Sequence, residues 1–343
     1  MEYTRTSMSK KILITGGMGY VGSHTYVALT DAGFNVVILD DFSNSDLGVP
    51  HRLGQITGQN RVTFYEGSVL DQPLLARIFS EHEFVAVIHF AALKAVGEST
   101  AKPIDYFETN ISGLIFLLQE MKSARVARLV FSSSATVYGE AKTMPIPETA
   151  GRQFTNPYAF TKVVSEQILE QAALSYPWAF AVLRYFNPAG AHPSGLIGED
   201  PSDLPNNLMP YIARVANGDL EHLNVFGSDY DTKDGTGERD YIHVCDLARG
   251  HLLSLQHLIA TEEGHVVNLG TGRAYSVLEI TAAYSKACGR ELPYYMAPRR
   301  RGDVAVCVAD VTKAKDVLGF EAQLDLDEMC RSSWNWIQNK DNN

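Results

Sequence analysis

The stretch Lys11-Ile12-Leu13-Ile14-Thr15-Gly16-Gly17-Met18-Gly19-Tyr20-Val21-Gly22 decides the fold of this chain. It predicts a short apolar strand, a glycine-rich turn and the start of a helix over 20–32. A second apolar strand at 35–40 completes a βαβ unit, and Asp40 ends that strand. The glycines permit a tight turn, and a phosphate can then approach the backbone amides at the positive end of the helix.

The same alternation of apolar strands and helices continues along the chain. Further strands are predicted at 62–66, 84–89, 128–132 and 179–184, and helices from Asp71, over 103–123 and around Tyr158. Near-continuous apolar strands separated by helices are typical of a parallel sheet covered on both faces. The sequence therefore predicts an α/β fold, a doubly wound parallel sheet (Rossmann) with a smaller, discontinuous α/β C-terminal substrate domain.

The chain is expected to divide into three parts. Residues 1–9 are polar and precede the first strand, so we expect a disordered extension. A Rossmann domain is predicted over 10–186, with a return segment near 240–289, where 264–269 resembles a strand and 276–289 a helix. The remainder of 187–343 forms the second lobe. Its first part, 188–207, is long and rich in Gly and Pro, which is typical of a functional loop.

Charge and composition exclude several kinds of partner. The 343 residues include 29 Lys+Arg against 40 Asp+Glu, a net charge of −11, which argues against nucleic acid. The four cysteines show no Cys-x-x-Cys spacing, and His89, His192 and His243 lie in separate segments, so no metal is expected. The chain lacks an apolar signal core and a long apolar span, which predicts a cytoplasmic protein without a membrane partner.

Tyr158 and Lys162 form the candidate catalytic pair. Residues four apart on a helix share one face, and a nearby ammonium is expected to lower the pKa of a phenol until it can act as a base. Ser134 follows the fifth predicted strand, at the carboxyl edge where ligands of such sheets bind. A Tyr-x-x-x-Lys match by itself also occurs by chance. The interpretation therefore depends on the other motifs in the chain.

Asp40 favours NAD over NADP. It lies about twenty residues beyond the glycine turn, where a carboxylate accepts hydrogen bonds from ribose hydroxyls and repels a 2′-phosphate. The cofactor expected at this turn is therefore NAD.

Several longer motifs strengthen the interpretation. The glycine turn, Ser134, the Tyr158/Lys162 pair and Asn110 together resemble the extended short-chain dehydrogenase/reductase family. Within it, the stretches 90–99, 184–192, 205–210 and 234–244 look like UDP-glucose 4-epimerases, over residues 11 to about 337.

The resemblance implies reversible epimerisation at carbon 4 of UDP-hexoses through a 4-keto intermediate with tightly bound NAD. The sugars implied are UDP-glucose and UDP-galactose, with UDP-N-acetylglucosamine and UDP-N-acetylgalactosamine as further candidates, in galactose metabolism and the supply of sugar nucleotides for surface polysaccharides. It implies catalytic roles for Ser134, Tyr158 and Lys162. The positions that match NAD contacts are Gly16, Gly19, Tyr20, Val21, Gly22, Asp40, Asp41, Asn44, Ser45, Ser68, Val69, Phe90, Ala91, Lys94, Asn110, Ser134, Tyr158, Lys162 and Phe186. The positions that match contacts to the UDP-sugar are Lys94, Ser134, Tyr158, Asn187, Asn207, Asn224, Phe226, Arg239, Arg300 and Cys307.

Two positions depart from the family pattern. Ser68 stands where an acidic residue usually meets the adenine, which predicts weaker contact there. Cys307 stands at a gating position that is bulky in members restricted to glucose and galactose, so the resemblance implies a wider sugar pocket. A small buried cysteine without consequences for specificity is the alternative.

Other functions remain open at this stage. A nucleotide-sugar 4,6-dehydratase needs an acid and a base after strand five, where Ala135 and Thr136 stand. A net dehydrogenase or reductase would release NADH, and a non-catalytic NAD-binding regulator would not need Tyr158. The apolar stretch 110–118 and the Tyr158 helix need a second covering surface, so we expect a homodimer through these two helices.

Overall fold

The computed structural model describes residues 10–201, 205, 207–300 and 302–340, and the extension predicted over 1–9 lies outside that part. The strands are β1 (Lys11–Thr15), β2 (Asn35–Asp40), β3 (Thr63–Glu66), β4 (Phe84–His89), β5 (Arg128–Ser134), β6 (Ala179–Tyr185), β7 (Asn187–Ala189), β8 (Leu223–Phe226), β9 (Glu238–His243), β10 (His265–Leu269), β11 (Ala274–Ser276), β12 (Tyr294–Ala297) and β13 (Val306–Cys307). The helices are α1 (Tyr20–Asp31), α2 (Val49–Thr57), α3 (Gln72–Glu81), α4 (Val96–Ala101), α5 (Pro103–Phe107), α6 (Gly113–Ser123), α7 (Pro157–Ser175), α8 (Leu208–Asn217), α9 (Val244–Thr261), α10 (Val277–Cys288), α11 (Thr312–Leu318) and α12 (Leu326–Lys340).

Seven parallel strands form the main sheet, in the order β10-β6-β5-β4-β1-β2-β3. Apolar side chains of α1, α2 and α9 cover one face, and those of α3, α6 and α7 cover the other. Because both faces are buried, the strands are apolar at nearly every position, as the sequence indicated. The predicted doubly wound parallel sheet is confirmed.

The second lobe is built on a smaller sheet in the order β11-β9-β13, with β7 paired to β9, and on the parallel pair β8 and β12. Helices α8, α10 and α12 share one apolar core beside it. The chain enters this lobe directly from β6, because β7 begins at Asn187. The predicted domain boundaries themselves stay a prediction.

The helix predicted over 103–123 is interrupted. It consists of α5, a π-helical turn (Glu108–Ser112) and α6. Such turns are frequent at functional sites, and here the turn carries Asn110, whose side chain bonds to the backbone of Leu93. A long-range contact thus overrides the local helical pattern.

The return segment differs from the prediction at its C-terminal end. The strand β10 does pair with β6 in the main sheet, and α9 packs on α1. The helix α10, in contrast, packs against α8 and α12 in the second lobe. The helical pattern of 276–289 was predicted correctly, but its sequence does not reveal which core its apolar face joins.

Within the described ranges, no helix is long and apolar enough to cross a membrane. The same part of the chain holds no group of three or more His, Cys, Asp and Glu side chains arranged to bind a metal ion.

Candidate active site

A cavity of about 780 Å³ lies between the carboxyl ends of the main-sheet strands and the second lobe. Parallel strands bring the residues that follow them to one edge of the sheet, which explains why distant parts of the chain meet here. Of the residues predicted for the site, all line this cavity except Asn110 and Cys307.

The turn between β1 and α1 leaves room for a phosphate. A Cβ on Gly22 would lie 2.2 Å from the carbonyl oxygen of Gly16, so α1 packs directly on the turn. A Cβ on Gly19 would meet that oxygen only at 3.5 Å and otherwise points into open space. No side chain caps the amides at the start of α1. These amides and the helix dipole face the cavity, where they suit an anionic group.

Asp40 organises the loop beyond β2. Its Oδ2 accepts a hydrogen bond from the Met18 amide at 2.8 Å, and its Oδ1 accepts bonds from the Phe42 amide at 2.9 Å and the Ser45 hydroxyl at 3.2 Å. Burial raises the pKa of this carboxyl from its ordinary value, while the two amides oppose that shift. The carboxylate therefore joins the glycine turn to the loop that carries Asp41, Asn44 and Ser45, all of which line the cavity.

The residues that follow β3 and β4 form another part of the cavity wall. Ser68, Val69, Phe90, Ala91 and Lys94 line the cavity, and Phe186 lines it from the start of the second lobe.

Asn110 stands one layer behind this wall. Its Oδ1 accepts from the Leu93 amide at 2.8 Å, and its Nδ2 donates to the Leu93 carbonyl and to Thr161 Oγ1, each at 3.0 Å. Because Thr161 belongs to α7, this amide holds the wall beyond β4 against the helix that carries Tyr158. In the structure Asn110 supports the cavity wall and does not face the cavity.

Ser134, Tyr158 and Lys162 meet at the end of β5. The helix α7 begins with Pro157 after Asn156, whose side chain accepts from the Ala159 amide at 2.8 Å and caps the helix. Lys162 is 5% exposed, and its Nζ donates to the Ser132 carbonyl at 2.7 Å. The same Nζ lies 5.9 Å from the ring centroid of Tyr158.

The pKa values of this pair reverse one prediction. Burial raises the pKa of Tyr158 to about 12, and its hydrogen bond with Ser134 opposes the rise. Burial also lowers the pKa of Lys162 to about 8, and the Glu166 carboxylate opposes that change. The pKa of the phenol therefore lies above the ordinary value and not below it as the spacing of the pair predicted, because burial is the largest influence on it.

The second lobe supplies a polar and basic end to the cavity. Asn187, Asn207, Asn224, Phe226, Arg239 and Arg300 all line it. The guanidinium of Arg300 lies 3.8 Å from the ring centroid of Phe226. Arg239 donates to the Val304 carbonyl at 2.8 Å and approaches Asp303 at 3.7 Å. Two guanidinium groups at one end of the cavity suit a diphosphate.

Cys307 lies behind the cavity wall. It pairs with Arg239 in the ladder of β13 and β9 and packs in the same apolar cluster as Phe186. Burial raises the pKa of its thiol to about 11. Cys307 thus belongs to the apolar cluster that supports Phe186, and it is not part of the cavity lining.

The cavity also contains residues that the sequence did not single out. The Tyr185 hydroxyl is hydrogen-bonded to Ser132 Oγ, and Tyr185 could have been found because it is the last residue of a main-sheet strand. Glu199 receives bonds from Lys94 at 3.4 Å and Asn207 at 3.3 Å. Neither Glu199 nor Asp303 lies in a regular element, so no periodic pattern marks them.

The histidines His89, His192 and His243 have different hydrogen-bond partners. His89 bonds Thr15 Oγ1 at 2.7 Å within the main sheet, and His243 bonds Ser332 in the second lobe at 3.0 Å. His192 bonds Ser194 at 2.8 Å beyond β7.

Comparisons with known proteins agree with this geometry. A family model described as GDP-mannose 4,6 dehydratase matches residues 13–333. The UDP-glucose 4-epimerase of Bacillus subtilis is 53% identical over 326 residues, which cover 95% of this chain and 96% of that protein. The enzyme of the same name from Haemophilus influenzae is 52% identical over 330 residues, covering 96% of this chain and 97% of that one.

Solved structures give the same result. UDP-glucose-4-epimerase from Stenotrophomonas maltophila, with bound NAD and formylated UDP-arabinopyranose, superposes with a TM-score of 0.95 at 49% identity, covering 97% of this chain and 99% of that chain. The Bifidobacterium longum enzyme in complex with NAD+ and UDP gives a TM-score of 0.92 at 48% identity, with the same coverage. Fold, cavity and sequence lead to one conclusion: the chain belongs to the UDP-glucose 4-epimerase family of extended short-chain dehydrogenases/reductases.

Proposed function

We propose that this protein interconverts UDP-hexoses by inverting carbon 4, with UDP-glucose and UDP-galactose as substrates and NAD as cofactor. The observation that carries the proposal is the arrangement of one cavity. It holds a phosphate-accepting turn at one end, two arginines at the other, and Ser134, Tyr158 and Lys162 between them.

The residues of the first lobe fit NAD. The open space beside Gly19 and the uncapped start of α1 accept the pyrophosphate, and Asp40 accepts from the adenosine ribose hydroxyls. When bound, NAD supplies a hydride acceptor that can return the hydride, and its oxidised ring carries a positive charge. The residues proposed to contact it along the cavity are Gly16, Gly19, Tyr20, Val21, Gly22, Asp41, Asn44, Ser45, Ser68, Val69, Phe90, Ala91, Lys94 and Phe186.

Tyr158 is the proposed base. Its phenolate takes the proton of the 4-hydroxyl as the sugar is oxidised and returns it when the 4-keto sugar is reduced from the opposite face. Ser134 bonds the phenol and is placed to bond the reacting oxygen as well. Lys162 stabilises the phenolate electrostatically, because a positive charge favours the ionised phenol.

The second lobe holds the part of the substrate that does not react. Arg239 and Arg300 are proposed to bind the diphosphate, with Asn187, Asn207, Asn224 and Phe226 around the sugar and the nucleoside. Binding energy from this remote part keeps the keto sugar in the cavity while it turns over. The second lobe would therefore hold the sugar until it has been reduced again, and bound NAD would serve as both the acceptor and the donor of the hydride.

The matching family model is described as a dehydratase, so dehydration is the alternative to exclude. Removal of water across carbons 5 and 6 needs an acid and a base beside the catalytic hydroxyl. Ala135 and Thr136 follow Ser134 in a 3-10 turn, and neither can act as a carboxylate. This position therefore favours epimerisation.

A net dehydrogenase or reductase is the second alternative. Such an enzyme would release NADH into solution, so a sustained rise in free NADH with a UDP-sugar would support it. A non-catalytic regulator is disfavoured because Ser134, Tyr158 and Lys162 all stand in the cavity.

The range of sugars is the finer part of the proposal. Cys307 packs against the apolar cluster that contains Phe186, and a small residue there leaves more room than a tyrosine would. We therefore expect UDP-N-acetylglucosamine to be a substrate as well. Cys307→Tyr should abolish turnover of that sugar and preserve turnover of UDP-galactose; equal loss of both activities would contradict the assignment.

A homodimer is proposed through α6 and α7. Ile115 on α6 is 38% exposed and Leu174 on α7 is 79% exposed, and the nearby Ile104 is 69% exposed. Covering such side chains removes apolar surface from water. Light scattering at micromolar concentration should give twice the mass of one chain, and a monomer would contradict the proposal.

The cytoplasm is the proposed location. All four cysteines carry free thiols, which is typical of a reducing compartment.

One experiment tests the function as a whole. The purified protein is incubated with each UDP-hexose without added cofactor, and the sugars are analysed. Conversion of UDP-galactose to UDP-glucose and the reverse would establish epimerisation and retained NAD together. If conversion occurs only with added NAD, the retention of the cofactor is refuted but the reaction is not. No conversion under either condition would refute the proposed function.

A further inference from the structure

A buried carboxylate lies next to the residues proposed as catalytic, Ser134, Tyr158 and Lys162. Glu166 stands one helical turn beyond Lys162 on α7, and its side chain is 2% exposed. It accepts hydrogen bonds from Ser133 Oγ at 2.5 Å, and from Arg184 Nε at 2.9 Å and Nη2 at 2.6 Å. Arg152 approaches the same carboxylate from the surface at 3.4 Å.

These partners connect the two elements that carry the catalytic side chains. Ser133 lies between Ser134, the proposed catalytic hydroxyl, and Ser132, whose carbonyl accepts the Lys162 ammonium. Arg184 is the direct neighbour of Ser133 in the ladder between β5 and β6. A single carboxylate thus joins the helix of Tyr158 and Lys162 to the strand end of Ser134.

The free-energy cost of burying a carboxylate argues that Glu166 has a specific role. Taking two charges out of water is expensive, and apolar residues of similar volume often stabilise a core equally well. A buried ion pair is therefore weak evidence for stability. Its directed hydrogen bonds, in contrast, fix positions more closely than apolar packing does, and position is what a catalytic group requires.

We propose that Glu166 is a positioning residue for the reaction, which holds Tyr158 and Lys162 in register with Ser134. Because the Glu166 carboxylate stands one helical turn from Lys162, it also favours the ammonium form of that side chain. The part that concerns the reaction rests on the proposed function. The part that concerns the charge of Lys162 concerns the chain itself and can be measured without any substrate.

The surroundings of Lys162 support the second part. The titratable groups that act on Lys162 directly are Glu166 on α7 and His89 on β4, and the Tyr158 ring lies 5.9 Å from its Nζ. In the next layer, Arg184 on β6 pairs with Glu166, and Tyr185 on β6 and Tyr106 on α5 act on Tyr158. Burial and the nearby Lys162 lower the pKa of His89 to about 3, so that ring is neutral. The three tyrosines have raised pKa values and are neutral as well. Glu166 is therefore the negative charge that this environment offers to the ammonium.

The test compares three variants of the full chain. Glu166→Gln removes the negative charge and keeps the shape of the side chain. Ser133→Ala keeps the charge of Glu166 but removes its hydrogen bond to β5. Glu170→Gln is the matched control, because Glu170 lies one further turn along α7, is about half exposed and pairs with Arg152. The pKa of Lys162 is read by carbon NMR on lysine labelled at Cε, and its signal is assigned by its loss in Lys162→Met.

Glu166→Gln should lower the pKa of Lys162 by about one pH unit, because a carboxylate one helical turn away no longer favours the ammonium. Its kcat should fall by about tenfold or more, with a small change in KM, because misplacement affects the transition state more than binding. Ser133→Ala should lower kcat by severalfold and leave the pKa of Lys162 unchanged. Glu170→Gln should resemble the wild type in both measurements.

Each contrary outcome refutes a separate statement. An unchanged Lys162 titration in folded Glu166→Gln would overturn the electrostatic part, whether or not the protein epimerises UDP-sugars. A wild-type kcat in Ser133→Ala would overturn the positioning part, and that variant decides alone if Glu166→Gln does not fold. Absence of activity in the wild type would refute the proposed function, which is a different result from both.

Discussion

In the glycine turn, one glycine is required for helix packing and another leaves space for the cofactor, so substitutions can separate the two requirements. Gly22 and Gly19 stand three residues apart, yet a Cβ would meet very different surroundings at each. At Gly22 it would lie 2.2 Å from the Gly16 carbonyl oxygen and 2.8 Å from the Gly17 Cα. At Gly19 the nearest atom would be that same oxygen at 3.5 Å, which is an ordinary contact.

The magnitude for Gly22→Ala follows from this overlap. Ordinary contact begins near 3.4 Å, so α1 must retreat by about 1.2 Å from a turn made of backbone atoms. Overpacking of this kind costs about 1–3 kcal/mol, and the better helix propensity of Ala returns about 1 kcal/mol at most. The upper half of that cost applies, because backbone atoms cannot move aside as a flexible side chain can, and the expected net loss is about 1–2 kcal/mol. For a chain of 343 residues this lowers the melting temperature by about 1–3 °C.

Gly19→Ala should behave in the opposite way. Its fold should change by about 1 kcal/mol at most, the usual effect of a residue at a helix start, but its methyl group would occupy the space proposed for the pyrophosphate. Scanning fluorimetry with and without NAD, together with the nucleotide released on denaturation, measures both effects. A Gly22→Ala protein with a wild-type melting temperature, or a Gly19→Ala protein that retains a full equivalent of NAD, would refute this reasoning.

Further predictions concern single side chains. Tyr158→Phe should reduce kcat by about 10²–10⁴-fold and leave NAD content unchanged, and unchanged turnover would exclude Tyr158 as the base. Asp40→Ala should weaken NAD binding by about tenfold or more, because bonds to Met18, Phe42 and Ser45 are lost; titration calorimetry on cofactor-free protein measures this, and equal affinity would contradict it. Burial raises the pKa of Asp240 from 3.8 to about 6. Because this folded-state value lies above the unfolded one, its contribution to stability is full below the unfolded pKa and is lost as pH rises through about 6. Urea unfolding of the wild type and of Asp240→Asn should therefore differ in pH dependence across this range, and parallel curves would contradict the assignment.

The sequence predicted the parts of the site that follow from chain topology. In a parallel sheet the residues after each strand reach the same edge, so Gly16, Asp40, Phe90 and Ser134 could be brought together without coordinates. Glu199 and Asp303 could not, because they reach the cavity from segments without regular periodicity. The π-helical turn was also missed; it contains Asn110, whose bonds to Leu93 join residues 17 positions apart, and such long-range contacts leave no periodic pattern in the sequence.

The state of the catalytic phenol was mispredicted because it depends on burial. From the sequence, the spacing of Tyr158 and Lys162 indicates two side chains on one face, but it does not show that both are removed from water. In the structure Lys162 is buried and Tyr158 is half-buried in the cavity wall, and desolvation penalises each charged form. The pKa of Tyr158 accordingly rises to about 12, although a lysine stands on the next turn.

This burial has a consequence for how the base is activated. With the phenol at about 12 and the ammonium at about 8, the cofactor-free protein holds Tyr158 protonated at neutral pH. A positive charge near the phenol favours its ionisation, and the oxidised ring of bound NAD would supply one. If that charge lowers the pKa of the phenol, reciprocity requires the phenolate to favour binding of oxidised NAD by the same factor. Under the proposed function, proton abstraction by Tyr158 would therefore be linked to the presence of the oxidised cofactor.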